Sequence, residues 1–154
     1  MRTSGTEILQ DFKQKMAFTL PDITTEADVK HLVDAFYDKV NQDALLSPVF
    51  NDHARVNWEK HLPVMYRFWS SILLGTASYE GQPFPKHAFL PVDQSHFSQW
   101  LLLFYNTITE NFQGPNAEEA KLRAANIGRI FLNKIRQIQG QGPGIPVLPK
   151  KTEE

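Results

Sequence analysis

Residues 57–75 read Asn57-Trp58-Glu59-Lys60-His61-Leu62-Pro63-Val64-Met65-Tyr66-Arg67-Phe68-Trp69-Ser70-Ser71-Ile72-Leu73-Leu74-Gly75, and this stretch decides the fold. His61, Met65, Phe68, Trp69 and Ile72 recur at the spacing of one helical face. The spacing predicts a helix over residues 57–74, with Gly75 where a helix C-terminus favours a residue that tolerates left-handed backbone. Pro63 is awkward there. Beyond the first turn a proline removes one backbone hydrogen bond and favours a kink.

Upstream, a helix is expected to begin near Thr24 or Thr25, with Glu26 and Asp28 acidic in its first turn. Leu32, Val33, Phe36, Tyr37 and Val40 form its apolar stripe, and a loop with Pro48, Phe50 and Asn51 follows. Downstream, Gly81, Pro83, Pro85 and Pro91 break residues 75–91, leaving room only for a short helical turn over 84–90. A third helix should start near Asp93 and carry Phe97, Trp100, Leu103, Phe104 and Ile108. A fourth should start at Asn116, where Asn116 and Glu119 read as a capping box after Gly114-Pro115. Its expected core face is Ile127, Ile130, Phe131, Ile135 and Ile138. No segment reads as a strand. Four amphipathic helices with one proline-rich break define an all-α sandwich or bundle. Helices joined by tight turns would not need the broken segment, so function is sought there first.

The flanks read differently. Residues 1–23 form an N-terminal extension, with a short helix expected over 7–16 and closed off by Pro21. Residues 140–154 form a glycine- and proline-rich tail, expected to be flexible. The working domain is residues 24–139 of the 154.

Composition excludes several classes of function. The chain has no cysteine, which removes disulfides, thiolate metal sites and cysteine nucleophiles. A net charge of −1, with no basic stripe, gives no pull toward nucleic acid or anionic lipid. No apolar run approaches membrane-spanning length, and no leader is read behind Met1-Arg2-Thr3, so a cytoplasmic location is expected. The 11 Phe, 4 Tyr and 3 Trp suit either a dense core or a pocket for a large flat ligand.

Five histidines remain as candidate chemistry. The pairs Asp28/His31 and Asp93/His96 place each acid at a helix start, where it caps amides, and the capping reading is preferred to a metal site. His87 lies in the proline-bounded turn beside Phe89 and Leu90, a rigid apolar setting that suits a lone axial ligand to haem iron. His61 sits on the apolar face of its helix. Each histidine taken singly reads as structural. Together with Phe36, Tyr37, Phe50, Trp69 and Trp100 between them, they point to a pocket.

These residues carry a resemblance. Phe36-Tyr37-Asp38-Lys39-Val40, Trp58 to Met65, Phe68-Trp69, Leu73-Leu74-Gly75, Tyr79-Glu80-Gly81-Gln82-Pro83, Lys86-His87 and Phe97-Ser98-Gln99-Trp100-Leu101, in that order and spacing, resemble the truncated haemoglobins of group III. The likeness runs from about Thr24 to Gln139, and Pro63 belongs to that family's pattern. It implies a globin-like two-over-two helical sandwich enclosing haem b. By the same resemblance His87 is the proximal iron ligand, and Tyr37 and Trp100 are the distal hydrogen-bond donors. His61 is a distal residue able to swing toward or away from the iron. Phe36, Phe50, Met65, Phe68 and Trp69 line the haem, and Arg67 and Lys86 are candidate propionate partners.

The chemistry of those side chains agrees with the roles implied. Bound dioxygen carries partial negative charge, and a phenol O–H or an indole N–H can donate to it. One such bond contributes on the order of 1–2 kcal/mol, so two slow ligand escape by about ten-fold or more. The expected ligands are dioxygen, nitric oxide, carbon monoxide or peroxide. Nitric oxide dioxygenase or peroxidase-like turnover would need a separate reductase, because the chain has no flavin or nicotinamide domain. The alternative is a cofactor-free globin-like interaction or sensor module, in which both His61 and His87 are structural.

Overall fold

The computed structural model describes residues 20–76 and 90–140, and within them every regular element is helical. The helix expected over residues 7–16, the turn over 84–89 and the tail after Gly140 lie outside the described residues.

Helix α1 (Glu26–Gln42) starts as its sequence asks. The Thr25 hydroxyl accepts from the Asp28 amide at 3.1 Å, and the Asp28 carboxylate accepts from the Thr25 amide at 3.0 Å. Its whole expected stripe is buried, with Val29 added. A π-helical turn, Val49–His53, occupies the loop that follows. Helix α2 (Trp58–Leu74) is capped by Asn57 and ends at Gly75, whose φ of 66° places it in the left-handed region. The helix runs from Trp58 to Leu74 straight through Pro63. Helix α3 (Gln94–Asn111) is opened by a box between Asp93 and His96, so that acid–histidine pair is a cap. Asp28 likewise serves its own cap, while His31 Nε2 meets Asn111 Oδ1 at 3.0 Å.

Helix α4 (Pro115–Ile138) corrects two expectations. Its N-cap is Gly114, and no capping box forms between Asn116 and Glu119. The cap arrives from outside the helix: the Asn116 and Ala117 amides donate to Asp22 Oδ2 and Oδ1 at 3.0 and 2.9 Å. Glu119 accepts instead from Arg123. The buried face is also different, being Ala117, Ala120, Ala124, Gly128, Leu132 and Ile135. Of the expected face only Ile135 is fully buried; Ile127 and Phe131 are half-buried, and Ile130 and Ile138 are 42% and 50% exposed. Small residues allow a close approach between helices, and an Ile-weighted reading passes over them.

Helix α1 packs on α2 and α3, and α3 on α4, which gives a two-over-two arrangement. Phe104 of α3 is its centre, fully buried, stacked on Trp69 at 4.8 Å and on Trp100 at 5.8 Å, and edge-on to Phe36 at 5.1 Å. No helix among the described residues is long and apolar enough to cross a membrane.

Candidate ligand-binding site

The buried stripe of α1 delivers Phe36 and Tyr37 side by side, rings 4.9 Å apart. Four rings surround the Tyr37 ring: Phe36, Phe50 at 5.9 Å, Trp58 at 5.2 Å and His61 at 5.4 Å. Its hydroxyl lies 3.3 Å from His61 Nε2. With Nε2 unprotonated the phenol donates to it; in the other tautomer Nε2–H donates to the phenol oxygen. Burial pushes the Tyr37 phenol well above its ordinary pKa of 10.0, because a phenolate there would lose its hydration. The group therefore stays a protonated donor across the physiological range.

Trp100 enters from α3, edge-on to Phe36 at 5.8 Å. Its backbone neighbour is pinned: Gln99 Nε2 donates to Asp43 Oδ1 at 2.7 Å, and Asp43 Oδ2 also accepts the Leu45 and Leu46 amides. The Trp100 indole N–H donates to no acceptor among the described residues, and it is not sealed from solvent.

The remaining expected site residues divide. Phe50, Met65 and Phe68 are half-buried and pack against the main core. Trp69 turns fully inward onto Phe104 and belongs to the core as much as to any ligand wall. Arg67 stands exposed on α2. Lys86 and His87 lie outside the described residues. One ring was passed over by sequence reasoning: Trp58, at the first position of α2, lies 5.6 Å from His61 and stacks on Phe50 at 5.9 Å. Its signal was available, since it precedes His61 by three residues and so shares its helix face.

A planar apolar macrocycle carrying a small polar ligand fits this donor set. A phenol whose ionisation burial disfavours, an indole N–H with no acceptor among the described residues and an imidazole stand among half-buried apolar side chains. A thiolate or carboxylate cage for a bare metal ion would need different chemistry.

Comparison with known proteins agrees. The bacterial-like globin family model matches residues 21–130. Group 3 truncated hemoglobin ctb of Campylobacter jejuni is 31% identical over 119 residues, spanning 75% of this chain and 94% of that protein. The crystal structure of group III truncated hemoglobin from Campylobacter jejuni superposes with a TM-score of 0.66 at 31% identity, covering 72% of this chain and 91% of that one. The chain belongs to the bacterial-like globin family, and its fold is that of a truncated globin. Membership implies a haem cofactor and small gaseous ligands in general.

Proposed function

We propose that residues 24–139 hold haem b with His87 as the proximal iron ligand, and that Tyr37, Trp100 and His61 serve a small ligand on the distal side. The observation that carries this reading is the buried Tyr37 phenol, 3.3 Å from His61 Nε2, with the Phe36 ring in contact with both Tyr37 and Trp100. Phe36, Phe50, Met65, Phe68 and Trp69 supply apolar contact for the macrocycle, and Lys86 and Arg67 are the candidate partners for its carboxylates. The haem supplies the iron that takes the ligand.

The chain's own residues do the rest. Tyr37 donates a hydrogen bond to a polarised diatomic ligand without risk of ionising, since its phenol is held protonated. Trp100 adds a second donor, an indole N–H. His61 supports the phenol and is the residue that would ligate the iron from the distal side. Dioxygen, nitric oxide, carbon monoxide and peroxide all suit these groups. Oxidative turnover such as nitric oxide or peroxide detoxification draws on a separate reductase, and a cytoplasmic location suits that exchange.

The test is the visible absorption spectrum of the protein, oxidised, reduced and reduced under carbon monoxide, beside His87→Ala. A Soret band that moves with carbon monoxide and is lost or altered in the variant is the expected result. Absence of any such band after reconstitution with haemin overturns the proposal and leaves a cofactor-free interaction module.

A further inference from the structure

Trp58 has a polar anchor that core packing alone would not require. Its indole Nε1–H donates to Asn51 Oδ1 at 2.8 Å. The Asn51 amide nitrogen in turn faces three acceptors: Asn41 Oδ1 at 2.9 Å, the Ser47 carbonyl at 3.0 Å and Ser47 Oγ at 3.1 Å. That surround fixes which end of the amide is oxygen, and the oxygen is turned to the indole. Asn51 therefore ties the last turn of α1 and the loop after it to the first residue of α2.

The indole so held packs against the rings around Tyr37. The His61 imidazole stands edge-on to both Trp58 and Tyr37, at 5.6 Å and 80° to one and 5.4 Å and 76° to the other. Trp58 is itself braced by Tyr37 at 5.2 Å and by the stacked Phe50 ring. Tyr37, Trp58 and His61 thus touch one another in a triangle, and the anchored indole is one of the two rings against which the imidazole packs.

We infer that Trp58, locked by Asn51, is a positioning residue that keeps His61 against Tyr37 and so sets the rate at which small ligands pass His61. This inference rests on the ligand-binding function proposed above. Trp58 touches no ligand in this account; it acts only through His61.

Carbon monoxide recombination after flash photolysis tests it in the haem-loaded protein. Trp58→Phe keeps an aromatic wall but removes the N–H, and Asn51→Ala removes its acceptor from an exposed loop position. Each is expected to speed association by about five-fold, the population shift that loss of one ordinary hydrogen bond produces. The double variant should be no faster than either single one, because both remove the same bond. In a His61→Ala background neither should have any effect. Unchanged association in both single variants, or equal acceleration in the His61→Ala background, overturns the inference. A second readout needs no haem. The His61 imidazole 15N–1H spectrum should show one ordered set of signals in the parent chain and conformational averaging in Asn51→Ala. An identical spectrum in the two overturns the latch whether or not the protein binds haem, whereas a missing Soret band alone overturns only the function.

Discussion

Asp22 offers the most direct test of how this fold is held together. Helix α4 begins at Gly114-Pro115 without a side-chain cap of its own, and its first free amides are met by the Asp22 carboxylate. Asp22→Ala removes the acceptor for Asn116 and Ala117 together. Loss of a helix N-cap costs about 1 kcal/mol, and loss of a negative charge at the positive end of the helix dipole about another 0.5 kcal/mol. Water can reach the half-buried site, so a larger desolvation cost is not added. For a chain of this length ~1.5 kcal/mol corresponds to a melting point lower by about 5 °C. Thermal melts followed by circular dichroism at 222 nm, at low and high salt, measure it. Asp22→Asn keeps one acceptor oxygen and should lose about half as much, with less dependence on salt than the parent carboxylate. Gly114→Ala should cost more than either. Its Cβ would stand 2.6 Å from Asp22 Cγ, and its backbone φ of 133° disfavours any side chain. An Asp22→Ala chain melting within about 1 °C of the parent refutes the capping argument.

Three other predictions concern the site, the core and the acid limb of stability. Tyr37→Phe removes the phenol and keeps the ring; stopped-flow dissociation of dioxygen should quicken by about ten-fold, and an unchanged rate assigns the stabilising bond to another donor. Phe104→Ala empties the centre of three ring contacts and should lower stability by about 4 kcal/mol in guanidinium titration, against less than about 1 kcal/mol expected for Ile138→Ala at the exposed end of α4. Asp28 has its carboxyl held below the ordinary 3.8, first by the Thr24 amide and then by Thr25. A lowered folded value contributes stability that is full above pH 3.8 and is lost as pH falls through the folded value, so Asp28→Asn should be less stable near neutrality yet show a shallower decline in acid melts.

How much of this was legible depended on whether the cause lay near in sequence. Helix α1 was readable because its cap, Thr25 with Asp28, and its stripe from Val29 to Val40 are all local. The end of α2 was readable from Gly75 alone. Helix α4 was misread at its start because the true cap is 94 residues away in the chain, and a local Asn116/Glu119 pattern stood in for it. Its face was misread because hydrophobicity favours Ile130 and Ile138 over Ala117, Ala120 and Ala124, whereas close packing favours the reverse. The site shows the same division. Periodicity placed Tyr37, His61 and Trp100 on apolar faces, but their common role came from resemblance to a family, not from spacing. Trp58 went unassigned although its three-residue spacing from His61 was legible; only its anchor on Asn51, which sits in a turn, lay beyond periodicity.

The long contact between Tyr37 and His61 bears on how such a site can bind reversibly. A buried phenol with no partner would destabilise the fold by about 1–3 kcal/mol, the cost of an unsatisfied buried group. A phenol held by a short, charge-assisted bond would resist any ligand that competed for its proton. At 3.3 Å to His61 Nε2, Tyr37 sits between these limits: it is satisfied within the fold, yet by a bond near the long end of the useful range. For a ligand bound as proposed above, only this long internal bond at Tyr37 would have to be replaced. Trp58, anchored through Asn51, stands edge-on to the same imidazole at 5.6 Å and so adds a constraint on it beside the Tyr37 bond.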